Sequence, residues 1–195
     1  MKTNQSHGLH FAIAESGKLM ALKGRHTDAL LHYREALRLA VSSKAPEVFF
    51  RHYTQCVLES LELTGAYDEI IRFCIDADIH YASLGLTSSL HRRDHGSVLE
   101  RLGLAQLKND DLETGCASLE KARETAGDGV LPITEEVLGW LKRGFRVDSN
   151  RILGSQRKYK YFVVRSGQVD RKRAQPLSIL QNTAVSNPAA GLLGV

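Results

Sequence analysis

The feature that most restricts the fold of this chain is a long stretch, from His10 to about Gly129, in which apolar residues recur every three or four positions. This spacing places apolar side chains on one face of a helix, and the alternation typical of strands is absent. One proline, Pro46, interrupts the stretch. The pattern therefore predicts an all-α fold over this part of the chain.

Clusters of glycine, serine, asparagine and aspartate divide the helical stretch into shorter pieces. They occur at 24–26, 42–46, 64–65, 85–89, 109–111 and 127–129. Because such clusters favour turns and helix ends, we predict six helices in three hairpins. A seventh helix over 133–145 carries an apolar face that includes Trp140, and we expect it to cap the open end of the stack.

The types of residue in the chain change after Val147. Residues 157–165 are rich in aromatic and β-branched types, which favours one strand, and the residues after Arg173 carry no charge. Neither piece can form a core of its own. The sequence therefore predicts three parts: a leader over 1–9, a helical domain over 10–147, and an extended tail over 148–195 that is basic at first and then uncharged.

The formal net charge of +4 is unevenly distributed along the chain. After residue 150, eight basic residues stand against one acidic residue, Asp170, which gives the tail +7 and leaves −3 for the rest. A basic tail on a mildly acidic body is a weak indication of nucleic-acid binding. The hydrophobic content of 43% and the charged content of 25% are otherwise ordinary for a globular domain.

Small and aromatic residues occupy matched positions in the predicted hairpins. The first hairpin carries them at Gly17, Gly24, Ala29, Tyr33 and Ala36. This order and spacing resemble the tetratricopeptide repeat, a helical pair of 34 residues. The resemblance covers roughly residues 10–129 and implies a solenoid of about three helical hairpins, to which the capping helix and the extended tail are added.

The later hairpins resemble the same family less regularly. Gly65 takes the turn position in the second hairpin and Asp110 takes it in the third, with Gly115 where the family has alanine. The three turn positions are 41 and 45 residues apart. We therefore expect longer helices than the repeat norm and an irregular superhelix, the alternative being an all-α bundle without a repeat.

In this family the first helix of each pair lines a concave surface, and the resemblance implies which residues lie there. The predicted groove-binding residues are Phe11, Ala14, Lys18, Leu22, Gln55, Glu59, Arg101, Leu104 and Lys108, and Glu15 falls on the same surface. Ala14 and Cys56 stand where members that bind acidic chaperone C-termini carry Lys and Asn. An extended or helical peptide held by side-chain pockets is the ligand we expect instead.

The tail is a second candidate binding element, because it mixes basic and aromatic side chains. The predicted tail-binding residues are Lys158, Tyr159, Lys160, Tyr161, Phe162, Arg165, Arg171 and Arg173. In one interpretation residues 158–165 add a strand to a partner or enter a neighbour's groove; in the other, a flexible tail is partly fixed on its own body. Since aromatic rings stack on bases and cations neutralise phosphates, a nucleic-acid-binding adaptor is the alternative function.

Motifs typical of catalysis or cofactor binding are absent from the sequence. His91 and His95 lie four apart on a predicted helix, but no third ligand accompanies them. Cys56, Cys74 and Cys116 lack Cys-x-x-Cys spacing, and no phosphate-binding loop runs through the glycines. We therefore predict core cysteines, no metal, no cofactor and no enzymatic activity.

These patterns together predict a protein–protein interaction scaffold, adaptor or assembly chaperone. Its groove is expected to bind a peptide or a partner subunit, and its tail to dock on a second partner in a larger complex. No run of about 18 apolar residues occurs, so we expect no membrane span. The odd number of widely spaced cysteines is consistent with a reducing cytoplasm.

Overall fold

The computed structural model describes residues 3–85 and 88–177, and every regular element within these ranges is helical. The α-helices are α1 (Thr3–Leu22), α2 (His26–Ser42), α3 (Glu47–Leu63), α4 (Tyr67–Leu84), α5 (Ser89–Lys108), α6 (Leu112–Ala126), α7 (Pro132–Lys142) and α8 (Ser149–Lys158). A short 3₁₀ turn covers Ser166–Gln168. The prediction of an all-α fold is confirmed for these residues, none of whose helices is long and apolar enough to cross a bilayer.

The breaks that separate α1 to α6 fall at the predicted positions, and positive backbone φ angles explain three of them. Gly24 and Gly65 have φ of 75° and 78°, a region that glycine enters without a steric penalty. Asp110 stands where the third turn lacks glycine, and it adopts the same kind of conformation with φ 61°. The third hairpin therefore keeps the turn geometry with a different residue.

The predicted strand over 157–165 is wrong. Its first two residues end α8, and residues 159–165 contain no regular element. The start of α8 is fixed by Asp148, whose side chain accepts the backbone N–H of Arg151 at 2.8 Å. The tail that was expected to be extended from residue 148 therefore begins with a helix, and α1 likewise begins inside the predicted leader.

The chain divides into two compact units. Unit 1 combines Met1–Gly65 with Val163–Val195, of which 3–65 and 163–177 are described, and unit 2 is Ala66–Phe162. Helices α1 to α3 belong to unit 1 and helices α4 to α8 to unit 2. The predicted second hairpin, made of α3 and α4, is therefore divided between the two units.

In unit 1, α1 approaches α2 closely at Gly17. A Cβ atom on Gly17 would lie 2.7 Å from Cε1 of the Tyr33 ring, so the approach depends on the missing side chain. Tyr33 is fully buried, as are Ala29 and Ala36 on the same helix. The small and aromatic residues that carry the repeat resemblance therefore belong to the core of unit 1.

In unit 2, the closest packing joins α5 to α6. A Cβ atom on Gly103 would lie 2.7 Å from Cγ of Leu119 and 2.9 Å from the carbonyl oxygen of Gly115. A Cβ atom on Gly115 would in turn lie 2.8 Å from Cγ of Leu107. The apolar core continues from Leu107 and Leu119, through α7, to Ile152 of α8.

Gly103→Ala tests the close α5–α6 packing. The new methyl group meets a backbone oxygen that no rotamer change can move, so we expect the free energy of unfolding of unit 2 to fall by about 1–3 kcal/mol. Urea unfolding followed by the fluorescence of Trp140, the single tryptophan, measures it because this residue packs against the core of unit 2.

Gly154→Ala on α8 is the matched control for this measurement. No atom beyond the neighbouring backbone of its own helix lies within 4 Å of the new methyl group, so replacing glycine inside the helix is expected to add up to about 1 kcal/mol of stability. Equal changes in the two variants would contradict the close approach of α5 and α6.

Candidate functional site

In unit 1, residues 163–177, named here the C-terminal segment, cover two buried carboxylates. The first is that of Glu59 on α3, a residue that is 4% exposed. Its Oε2 accepts the backbone N–H of Val163 at 2.8 Å and that of Val164 at 3.1 Å. Two successive amides on one carboxylate oxygen offset the cost of burying its charge.

The second carboxylate, that of Glu15 on α1, is shared between a lysine and the C-terminal segment. Its Oε2 accepts the backbone N–H of Asp170 at 2.6 Å, and its Oε1 lies 2.7 Å from Nζ of Lys18. Glu15 and Lys18 are 1% and 6% exposed. Because an isolated buried charge costs several kcal/mol, the burial of Glu15 depends on these two partners.

The end of the C-terminal segment donates two further backbone bonds. The N–H of Gln175 donates to the carbonyl oxygen of Ala12 at 3.0 Å, and that of Leu177 donates to Nε2 of His32 at 3.3 Å. The other ring nitrogen of His32 lies 2.7 Å from the carbonyl oxygen of Asp28, which is an acceptor. This bond assigns the proton to Nδ1 and leaves Nε2 to accept.

Side chains of the C-terminal segment also contact unit 1. The guanidinium carbon of Arg173 lies 5.7 Å from the centre of the Phe11 ring. Leu177 packs against the apolar cluster that includes Ile13, Ala36 and Tyr53. The backbone bonds fix the direction of the segment whatever its sequence, whereas these two contacts depend on the type of side chain.

Buried titratable side chains surround the two carboxylates. Burial, against the opposing charge of Lys18, raises the pKa of the Cys56 thiol to about 12. Burial also raises the pKa of Tyr33 and lowers the pKa of His52, whose Nε2 is 3.8 Å from the Cys56 sulfur. The thiol is therefore protonated near neutral pH and lacks the thiolate that a nucleophile needs.

In unit 2, α8 and the residues after it cover the predicted groove face of α5. Nε of Arg101 donates to the hydroxyl of Tyr161 at 2.8 Å, with its guanidinium carbon 5.0 Å from the ring centre. Nζ of Lys108 donates to the side-chain oxygen of Gln156 at 2.8 Å. Arg101 and Lys108 are each 8% exposed, and Leu104 is fully buried in the core. These residues are interior residues of unit 2.

Hydrogen bonds to α7 and a residue with positive φ after α8 position α8 and Tyr161 over α5. Glu136 of α7 accepts from Nζ of Lys158 and from Oγ of Ser155, each at 2.7 Å, and these bonds lower the pKa of Glu136. Beyond α8, Lys160 has φ 55°, and the N–H of Tyr161 donates to a carbonyl oxygen of the last helical turn at 2.9 Å. The chain thereby reverses and brings the Tyr161 ring onto α5.

Most of the predicted groove-binding residues are therefore buried within their own unit and do not lie on an open surface. The three on α5 lie beneath α8. In unit 1 the others divide as follows: Phe11 and Glu59 contact the C-terminal segment, Lys18 binds Glu15, Ala14 is fully buried, and Leu22 and Gln55 are exposed.

The predicted tail-binding residues also differ in their surroundings. Tyr161 and Phe162 are half-buried, and their rings meet edge to face at 5.3 Å. The exposed ones are Lys158, Tyr159, Lys160, Arg165, Arg171 and Arg173. The uncharged stretch that the sequence predicts after Arg173 lies, from residue 178 onward, outside the described residues.

Sequence reasoning missed the residues of the C-terminal segment that bind unit 1 through their backbone. Val163, Val164 and Gln175 donate N–H groups, which leave no side-chain pattern in a sequence. His32 was missed because a lone histidine on a helix gives no sign of what its ring accepts. The one signal in the sequence that could have indicated the contact is the net positive charge of the tail, which is opposite to the charges of Glu15 and Glu59.

The histidine pair considered as half a metal site has local partners. Nε2 of His95 lies 2.7 Å from Oδ1 of Asp78, and its ring stacks on Tyr81 with centres 5.1 Å apart. Nδ1 of His91 lies 2.7 Å from the hydroxyl oxygen of Ser88. Across 3–85 and 88–177, no group of three or more His, Cys, Asp or Glu residues is arranged to hold a metal ion.

Comparison with known proteins gave no matching family model, curated protein or solved structure. Function is therefore inferred from the residues and contacts of the chain itself.

Tyr161→Phe tests whether Arg101 is an interior residue of unit 2. The variant keeps the ring and removes the hydroxyl that accepts from a buried cation, so we expect unit 2 to lose about 1–3 kcal/mol of unfolding free energy. Trp140 fluorescence in urea measures the loss. Tyr159→Phe, at a residue that is 37% exposed, is the control and should change stability by less than about 0.5 kcal/mol. Losses of the same size would argue against a structural role for the Arg101 bond.

Proposed function

We propose that this protein is an interaction scaffold that holds an extended peptide segment in unit 1 by its backbone amides. The observation that carries the proposal is the pair of buried carboxylates, Glu15 and Glu59, which accept amides of the C-terminal segment at 2.6–3.1 Å. Backbone amides are present in every peptide, so a partner segment with the same conformation satisfies the same carboxylates. The C-terminal segment occupies this position in the free chain.

Charge supports a basic partner for this site. Glu15 and Glu59 are both acidic, and one buried lysine, Lys18, pairs with Glu15. The C-terminal segment carries four basic residues against one acidic residue, a net charge of +3. Complementary charge of this kind favours encounter and discriminates against acidic peptides.

The close packing of small residues supports a tetratricopeptide-like origin for the helical pairs. Gly17 admits the Tyr33 ring between α1 and α2, and Gly103 faces Gly115 between α5 and α6. We extend the proposal to a cytoplasmic adaptor or assembly chaperone without enzymatic activity. In it, unit 1 holds a subunit's segment, and the exposed basic residues that follow α8 contact a second partner.

The C-terminal segment regulates this site, because a tethered ligand competes with any partner. A short tether gives the segment an effective concentration of roughly millimolar. A free peptide therefore replaces the segment only if its dissociation constant lies well below that concentration. Loosening the segment is therefore expected to raise the apparent affinity for peptides added in trans.

Val163→Pro combined with Val164→Pro tests the proposal in the full-length chain. Proline has no N–H, so the double variant loses both bonds to Glu59 while the carboxylate remains. We expect it to bind a fluorescent peptide of residues 163–177, acetylated so that the first amide is kept, at least about tenfold more tightly than the unaltered chain. Fluorescence anisotropy measures the binding.

Ser166→Pro is the matched control, because Ser166 begins the 3₁₀ turn and its N–H has no acceptor among the described residues. Trypsin cleavage after Arg171 and Arg173, whose following residues are unchanged in all three chains, reports release of the segment independently of peptide binding. A double variant whose segment is cleaved rapidly but which binds no peptide would refute the proposal, and so would equal binding by all three chains.

A further inference from the structure

We infer that unit 1 selects partner segments in which an arginine stands four residues before a leucine-sized apolar side chain, an inference that rests on the function proposed above. The C-terminal segment supplies the pattern as Arg173 and Leu177. Both side chains contact unit 1 while the segment's amides are held by α1, α2 and α3. The amides fix the register, and the two side chains then discriminate among sequences.

The apolar position is defined by Leu177. Its N–H donates to Nε2 of His32, which sets where its side chain leaves the backbone. The side chain packs against the cluster of buried residues that includes Ala36, Ala40 and Ala45. A branched apolar residue of this size gains more from burial there than alanine does, whereas burying a charged residue is unfavourable.

The basic position is defined by Arg173, which lies over the Phe11 ring at 5.7 Å. The carboxylate of Asp170 accepts the backbone N–H groups of Lys172 and Arg173, and its Oδ2 lies 3.4 Å from Nε of Arg173. The N–H of Asp170 itself donates to Glu15. The turn formed by Asp170 therefore aims the arginine at the ring, so a partner with an aspartate three residues before its arginine arrives preorganised.

The test measures four fluorescent peptides of residues 163–177 against the full-length Val163→Pro, Val164→Pro variant. Compared with the natural peptide, we expect Leu177→Ala to bind about tenfold more weakly and Arg173→Ala about threefold more weakly. Arg171→Ala is the matched control, because it removes the same charge from a residue that has no ring contact among the described residues, and it should change affinity by less than about twofold.

A second variant on the protein side separates ring recognition from net charge. Phe11→Leu, added to the same full-length background, removes the ring and keeps an apolar side chain. The Arg173→Ala and natural peptides should then bind with the same affinity, while the loss for Leu177→Ala stays about tenfold.

The outcomes distinguish this inference from the proposed function. Four peptides of equal affinity would overturn the selection of arginine and leucine and leave peptide binding intact. If Arg171→Ala and Arg173→Ala weaken peptide affinity equally, net charge alone would explain the loss and the Phe11 ring would not be involved. This result also overturns the inference. No binding by any peptide would refute the proposed function and the inference together.

Discussion

Unit 1 depends on hydrogen bonds between two buried carboxylates and backbone amides that lie far away in the chain. Glu59 accepts from residues 104 and 105 positions later, and Glu15 accepts from a residue 155 positions later. Without these donors both carboxylates would lose partners inside unit 1, at a cost of several kcal/mol for each charge. The C-terminal segment is therefore part of the fold of unit 1 and not an appendage to it.

Residues from late in the chain cover the predicted binding face in both units, but with different chemistry. In unit 2, α8 covers Lys108 and adds Ile152 to the apolar core, and Tyr161 after α8 covers Arg101. In unit 1 the cover is an extended segment held mainly through its backbone. An apolar core does not exchange its parts easily, whereas amide bonds can be offered equally well by another chain. This difference is why the proposed binding function is assigned to unit 1.

The sequence predicts the helical fold because apolar periodicity and turn residues report directly on local structure. It places the breaks that separate α1 to α6 correctly and marks Gly17 and Tyr33 as helix-packing positions, which the structure brings into contact with each other. It misses α8, because Ser149–Lys158 contains two large apolar residues and a glycine, too few for a helical period to stand out. The aromatic and β-branched residues within 157–165 favoured a strand there, but the structure has none in this range.

The candidate site was predictable in part, because helical periodicity also indicates which residues share a helix face. Register along α1 and α3 placed Glu15 and Glu59 on one surface, since both lie on faces set by helical period. Their occupant was not predictable, because backbone donors such as Val164 carry no signature in a sequence. Neither was the burial of the groove residues on α5, which depends on the unrecognised α8.

Amide hydrogen exchange of the free full-length chain, resolved residue by residue by NMR, tests the central claim most directly. If Glu15 and Glu59 hold the C-terminal segment, the amides of Val163, Val164 and Asp170 should exchange at least about tenfold more slowly than those of Ser166 and Gly167, which have no acceptor among the described residues. Exchange at the same rate in all five amides would contradict the account, because the two carboxylates would then bind no segment of their own chain.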